Sequence, residues 1–307
     1  MKSRCLIFIL LCCLFLSSCS FVSGYGEPED RYIVSAIGFD KSGDLVEVSV
    51  QIIDGGEMLI RRGVGETARQ AMAHVEGADE KQLEISHLAL VVIGDRISGD
   101  SLADIFDFCR KNSDITVGVK VVSAYSASEL LSIEGAEGYR LVGAVRDDDS
   151  GVGFTAKSRF YEIEDIREAS GAYHLPYFET DGEIYTVSGL KIYQNDEGKV
   201  RLDRSESAYY MMLKGELYGG SVDVEMDEGR DSVYLRRSKT DYEIKEDALY
   251  IKCNLEVNER LLPYDTWQLE SALSGEAEKL YGELYTRYGD IFGFGKSEIE
   301  VECRIGG

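Results

Sequence analysis

The stretch HLALVVIG, His87 to Gly94, is apolar without interruption from Leu88 to Ile93. A half-buried strand would alternate apolar and polar residues, and an amphipathic helix would space its apolar residues by three and four. A short continuous run predicts a strand covered on both faces. His87 is read as the first residue of that strand, a structural imidazole rather than a catalytic one.

The flanking sequence extends this pattern. Downstream, SLADIFDFCRK (Ser101 to Lys111) places Leu102, Ile105, Phe106 and Cys109 on one stripe, predicting a helix packed on a core. Val117 to Ala124 is a second apolar strand, and Ser126 to Ile133 a short helix opened by Ser126 or Ser128. Upstream, RYIVSAIGFD, a DKSGD turn and DLVEVSVQII read as a β-hairpin. Val46, Val48 and Val50 alternate with Glu47, Ser49 and Gln51, so one face is expected to be buried. Gly65 to His74 reads as a helix with Thr67 or Gly65 near its cap. Gly63-Val64-Gly65 lacks the third glycine and the lysine of a phosphate loop and reads as a turn. Strand, helix, strand, helix in succession predicts a mixed sheet with helices on it.

This first unit is placed at residues 31–146 and ends in a loop marked by Asp147, Asp148 and Asp149. A small middle unit, 147–206, is expected to hold a helix over Lys157 to Ala169 and a loop at His174 to Phe178. It closes with a hairpin of YTVSGLKIY and KVRLD, turned by Asn195 to Gly198. The third unit, 207–307, reads as mostly strands: YYMMLKGEL, SVDVEM, SVYLRRSKTDYEI and ALYIKCNLEV. In the last of these Leu249, Ile251, Cys253, Leu255 and Val257 alternate strictly with polar neighbours. A long helix is expected from about Asp265 to Tyr288, and a closing strand from Ile299 to Ile305.

The N-terminus has the layout of a secretory signal peptide. Lys2 and Arg4 are followed by an apolar run from Cys5 to Leu16, then Leu16-Ser17-Ser18-Cys19. The run is about twelve residues, too short to span roughly 30 Å of hydrocarbon as a helix. Leu16, Ser17, Ser18 and Cys19 resemble the bacterial lipobox. That resemblance implies cleavage after Ser18 and a diacylglycerol thioether on Cys19. Residues 1–18 are then the signal peptide and 19–30 a lipidated tether, which contains Gly, Ser and Pro and lacks any period. The alternative is an ordinary secreted chain cut near Ser18 or Ser20.

Composition narrows the function classes. The formal net charge is −23, and loss of Lys2 and Arg4 makes the mature chain more negative. Such a field repels phosphate backbones and anionic headgroups, which argues against nucleic acid as a partner and against electrostatic adsorption to a membrane. Beyond the signal peptide and Cys19, the cysteines are Cys109, Cys253 and Cys303, with no CxxC spacing. This is neither a disulfide framework nor a zinc site. Cys253 and Cys303 share the apolar phase of their strands, open to one bridge or to two buried thiols.

No catalytic residue, metal ligand or cofactor is assigned. The only histidines are His74, His87 and His174, and none has an evident nucleophile beside it. Glu162-Glu164-Asp165 and the Asp147 to Asp149 run read as solvated surface, and the latter lacks the spacing of a calcium loop.

Several blocks carry a family resemblance. They are IVSAIGFDK (Ile33 to Lys41), VQII (Val50 to Ile53), HLALVVIGD (His87 to Asp95), VVSA (Val121 to Ala124) and LPYFE (Leu175 to Glu179). SGLKIY (Ser188 to Tyr193), ESAYYMMLKGEL (Glu206 to Leu217) and DIFGFG (Asp290 to Gly295) complete the series. In order and spacing they resemble the Ger(x)C family, the lipoprotein C subunits of germinant receptors of endospore-forming bacteria. Ser20 and Phe21 follow Cys19 where family members commonly carry Trp. The resemblance implies an α+β fold of three domains with mixed and antiparallel sheets, and a long helix in the C-terminal domain. It also implies no enzymatic activity, and assembly with a polytopic membrane A subunit and a transporter-like B subunit. The expected location is the extracytoplasmic face of the membrane, the inner membrane of the spore. The alternative class is a stand-alone lipoprotein binding an extracellular ligand, although the strand-rich last hundred residues do not supply a second lobe of βα units.

Overall fold

The computed structural model describes residues 31–78, 81–146, 154–226, 229–245, 248–257 and 265–306. Two sheets carry the architecture. The first has nine strands in the order β11-β10-β9-β6-β5-β1-β2-β3, with β4 also paired to β1. Its hairpin strands are β1 (Arg31–Ser42), β2 (Leu45–Asp54) and β3 (Glu57–Gly65), and its inner strands are β4 (Gln82–Glu84), β5 (Leu90–Gly94) and β6 (Lys120–Ala124). The pair β7 (Val145–Arg146) and β8 (Phe154–Thr155) stands apart from it. Then β9 (Ala172–Thr180), β10 (Tyr185–Gln194) and β11 (Glu197–Leu202) extend the same sheet. The strands of the expected middle segment, 147–206, therefore lie hydrogen-bonded beside those of the first, with β6 parallel to β9.

Both faces of this sheet are covered, because the apolar residues of β5 divide between two cores. Val91 and Ile93 pack with helices α1 (Ala68–Glu76), α2 (Asp100–Lys111) and, further on, α5 (Phe160–Ser170). Leu90 and Val92 pack with α3 (Ala127–Leu131) and α4 (Gly138–Ala144). The predicted stripe of α2 is buried as expected. Thr67 caps α1 by accepting from the Gln70 amide, and Ser126 caps α3 through the Glu129 amide.

Helix α6 (Arg204–Leu213) begins the second half. It packs on Leu190, Ile192 and Leu202 of the large sheet and on the inner face of the second sheet. That sheet has the order β12 (Gly220–Met226), β13 (Gly229–Lys245), β14 (Ala248–Val257), β15 (Ile299–Ile305). The long helix α7 (Thr266–Tyr288) crosses the same inner face with Leu269, Leu273, Ala277, Leu280, Tyr281 and Leu284. The outer face of β14 presents Tyr250, Lys252, Asn254 and Glu256, the alternation expected of a sheet solvated on one side. The fold is α+β, with mixed and antiparallel pairing and one long C-terminal helix.

Four local expectations change. YYMMLKGEL is not a strand: Tyr209 to Leu213 end α6, whose residues 207–213 are all buried. An all-buried run has no period to read, and the Asp203/Glu206 capping box is what starts a helix there. His174 to Phe178 is not a loop but the middle of β9, with Pro176 tolerated in strand geometry. Ser49 and Gln51 are buried rather than solvated, because α3 and α4 cover the second face of β2. Gly63 and Gly65 lie within β3, not in a turn. A Cβ on Gly63 would come 2.8 Å from Val75 Cγ2 and one on Gly65 2.7 Å from Gln70 Cβ, so the glycines let α1 lie directly on the strand.

Candidate functional site: a buried ionisable seam between the two sheets

The lipobox residues Leu16, Ser17, Ser18 and Cys19, the tether, and the Asp147 to Asp149 run lie outside the described residues. The described chain starts at β1, where Arg31 pairs with Glu84 at 2.6 Å.

The three histidines occupy unrelated places. His74 is on the last turn of α1, with Nδ1 against the Val64 carbonyl. His87 is exposed in a turn before β5, not the first residue of a buried strand. The continuous run begins at Leu88, but the ladder begins only at Leu90. His174 is the buried one, at 4% exposure, on the face of β9 that meets α6, with the Tyr210 ring edge-on at 5.7 Å.

Around His174 of β9 gather charged residues from the segment before α5 and from the end of α6. Glu216, just past α6, lies 4.0 Å from His174 Nε2 and accepts from Lys157 Nζ at 2.8 Å. Lys214 donates to the Phe292 carbonyl at 2.8 Å, and Tyr210 reaches toward the Ile291 carbonyl at 3.5 Å. His174 Nε2 and Glu216 Oε2 are both buried without a hydrogen-bond partner. Burial lowers the His174 pKa to about 4, with Glu216 opposing that shift. Burial also acts to raise Glu216, but the hydrogen bond from Lys157 and the charges of Lys157 and Lys214 oppose it and hold the carboxyl below its ordinary range. The cluster joins β9, the segment before α5, the end of α6 and the segment after α7. It offers a neutral imidazole and a paired carboxylate, with no nucleophile aligned to either among the described residues.

A second ionisable group sits at the carboxyl ends of the parallel strands β1, β5, β6 and β9. Lys191 of β10, the one charged side chain in its apolar run, donates to both the carbonyl (2.8 Å) and the carboxylate of Asp95. Burial lowers its pKa, and Asp95 opposes that shift. Arg201 contacts Tyr177 Oη at 3.0 Å and Glu179 at 3.5 Å. Asp40 accepts from the Ala127 and Ser128 amides and holds the start of α3. Parallel strands are added in one direction, β1 to β5 to β6 to β9, so their order never reverses to open the crevice in which such sheets hold ligands.

Elsewhere, Glu164 proves buried rather than solvated, paired with Arg110 at 3.3 Å and Arg167 at 2.9 Å. Cys253 and Cys303 are register partners on β14 and β15, both buried free thiols. Among the described residues no cluster of three or more His, Cys, Asp or Glu could hold a metal, and no helix is long and apolar enough to cross a membrane.

Two sheets share the buried helix α6, which packs on Leu190, Ile192 and Leu202 of the first and on the inner face of the second. Two family models match: the spore germination protein N-terminal domain over residues 24–180, and the spore germination B3/GerAC-like C-terminal domain over residues 188–299. The chain belongs to this spore germination family. The gap between the matches falls at the β9–β10 turn and the start of β10, inside the large sheet. The crystal structure of the GerBC protein aligns with 88% of this chain and 97% of its own, at a TM-score of 0.51 and 11% identity, a likeness of fold. No curated protein matches the sequence.

Proposed function

We propose that this chain is the lipid-anchored, non-catalytic C subunit of a spore germinant receptor, assembled with a polytopic membrane A subunit and a transporter-like B subunit. The pair of family matches, spanning 24–180 and 188–299, carries the reading. The lipobox-like Leu16 to Cys19 supports the anchor, and the dispersed histidines support a role without chemistry. Anchoring through Cys19 would confine the folded chain to the membrane plane and raise its effective concentration near its partners.

The test is a deletion. Spores lacking the protein, in a background without redundant paralogues, should lose the response to one nutrient germinant. Heat resistance and outgrowth after nutrient-independent triggering should stay normal. A deletion with unchanged responses to every nutrient germinant defeats the proposal and turns attention to the ligand-binding lipoprotein.

A further inference from the structure

The chain has 56 acidic residues against 33 basic ones, yet one end of the outer face of the second sheet is basic. There Arg236, Arg237 and Lys239 of β13, with Asn254 and Glu256 of β14, line a cleft of about 780 Å³. Arg304 of β15 lies opposite Asn254 in the ladder, on the same face.

A backbone irregularity produces this concentration of charge. The β13–β14 register shifts between Leu235 and Arg237, and Leu235 and Ser238 are both buried while Arg236 and Arg237 are both exposed. In a regular strand successive side chains face opposite sides, and one arginine would be driven into the core beside Leu255. The bulge turns both outward, the way bulges re-aim side chains elsewhere in sheets.

Arg304 pairs with Glu302 at 2.6 Å, but the three cations of β13 meet no carboxylate among the described residues. Arg31, Arg110, Arg167, Arg201 and Arg230 all meet carboxylates of this chain. Arg236 and Lys239 have no partner among the described residues, and Arg237 only lies over the Tyr218 ring at 5.8 Å.

We infer that this cleft docks an extended acidic segment of a partner protein. Arg237 and Lys239 are two residues apart on one strand face, a repeat of roughly 6.8 Å, and carboxylates at alternate positions of an extended peptide repeat at the same interval. Asn254 supplies an amide to the peptide backbone between them. A single phosphate would engage one end of this row. A flat anionic bilayer would not enter the cleft, and would be repelled by the rest of a chain of net charge −23. The inference stands apart from the receptor proposal, since it rests on the cleft alone.

The test uses the full chain in non-ionic detergent and a fluorescein-labelled decapeptide of alternating Glu and Ser, with the Gln–Ser peptide as its neutral counterpart. Fluorescence anisotropy should show binding of the acidic peptide alone, weakened about tenfold between roughly 50 and 300 mM salt. The variant R236Q/R237Q/K239Q should bind about tenfold more weakly with an unchanged melting temperature. Asn254→Glu, which keeps all three cations, should weaken binding about fivefold, whereas Lys279→Gln on α7 should bind as wild type. Equal affinity for the neutral peptide, equal affinity of the triple variant and of Asn254→Glu, or no binding at about 1 mM peptide overturns the inference. Binding to phosphatidylglycerol vesicles in preference to the peptide overturns it as well, in favour of a bilayer contact.

Discussion

His174 is buried against Glu216 with its Nε2 unsatisfied, and that placement makes the seam between the two sheets acid-sensitive. Its pKa in the folded chain is about 4, below the ordinary value of 6.5. Above the ordinary value neither state holds the proton. As pH falls from 6.5 toward 4 the unfolded chain takes it up and the native chain does not, so stability falls across that window. Glu216, held below its ordinary range, adds a loss in the same direction at lower pH. Between pH 7 and pH 5 the His174 contribution amounts to about 2 kcal/mol. Urea denaturation should therefore show a pH slope over this range that His174→Gln flattens and His87→Gln, at an exposed turn, leaves intact. Matching slopes in wild type and His174→Gln would mean the imidazole is protonated or hydrated in the native chain. Neither residue announces this role in sequence: His174 sits in an apolar stretch beside Pro176, and Glu216 is one acid among many. Their partnership spans more than forty residues and three elements, beyond any local pattern.

At the scale of elements, β2 shows how one buried amide can position two helices. The Gln51 side-chain amide donates to the Leu131 carbonyl at 3.0 Å and the Ala136 carbonyl at 2.9 Å. Its oxygen accepts from the Gly138 amide at 2.9 Å and the Ser35 hydroxyl at 2.5 Å. It thereby pins the end of α3 and the start of α4 to the sheet, satisfying backbone groups that would otherwise be buried and unpaired. Gln51→Leu keeps the volume and removes every one of these bonds. It should cost about 2–4 kcal/mol, the range expected when buried partners are left unsatisfied. The check is a lower urea midpoint with an unchanged slope, and amide exchange at Gly138 accelerated beyond that at the β1–β2 ladder. If Gln51→Leu melts with wild type, water replaces the amide and the helices hold themselves. In the sequence Gln51 alternates with valines and so reads as solvent-facing; the helices that bury it come from residues about eighty positions later.

For the molecule as a whole, the proposed attachment to the membrane would rest on Cys19. Cys19→Ala should leave an uncleaved or soluble chain that no longer takes up a fatty-acid analogue or sediments with membranes. A variant that still labels and sediments like wild type would remove the lipobox assignment and, with it, the tethered geometry of the proposed receptor subunit.

What the sequence by itself determined lies within reach of one element. The unbroken run at Leu88 to Ile93 specified a doubly covered strand, the stripe of Leu102, Ile105, Phe106 and Cys109 specified a helix, and strict alternation from Leu249 to Val257 specified a strand with a wet outer face. Periods of two and 3.6 are properties of the local backbone, so they survive in the sequence. Only the tertiary structure decided that β9 to β11 complete the first sheet, that the all-buried end of α6 is helical, and that a bulge turns Arg236 and Arg237 outward together. A segment buried on every side loses its period, and hydrogen bonds between distant strands leave no local trace. Those features depend on which surfaces meet across the whole chain.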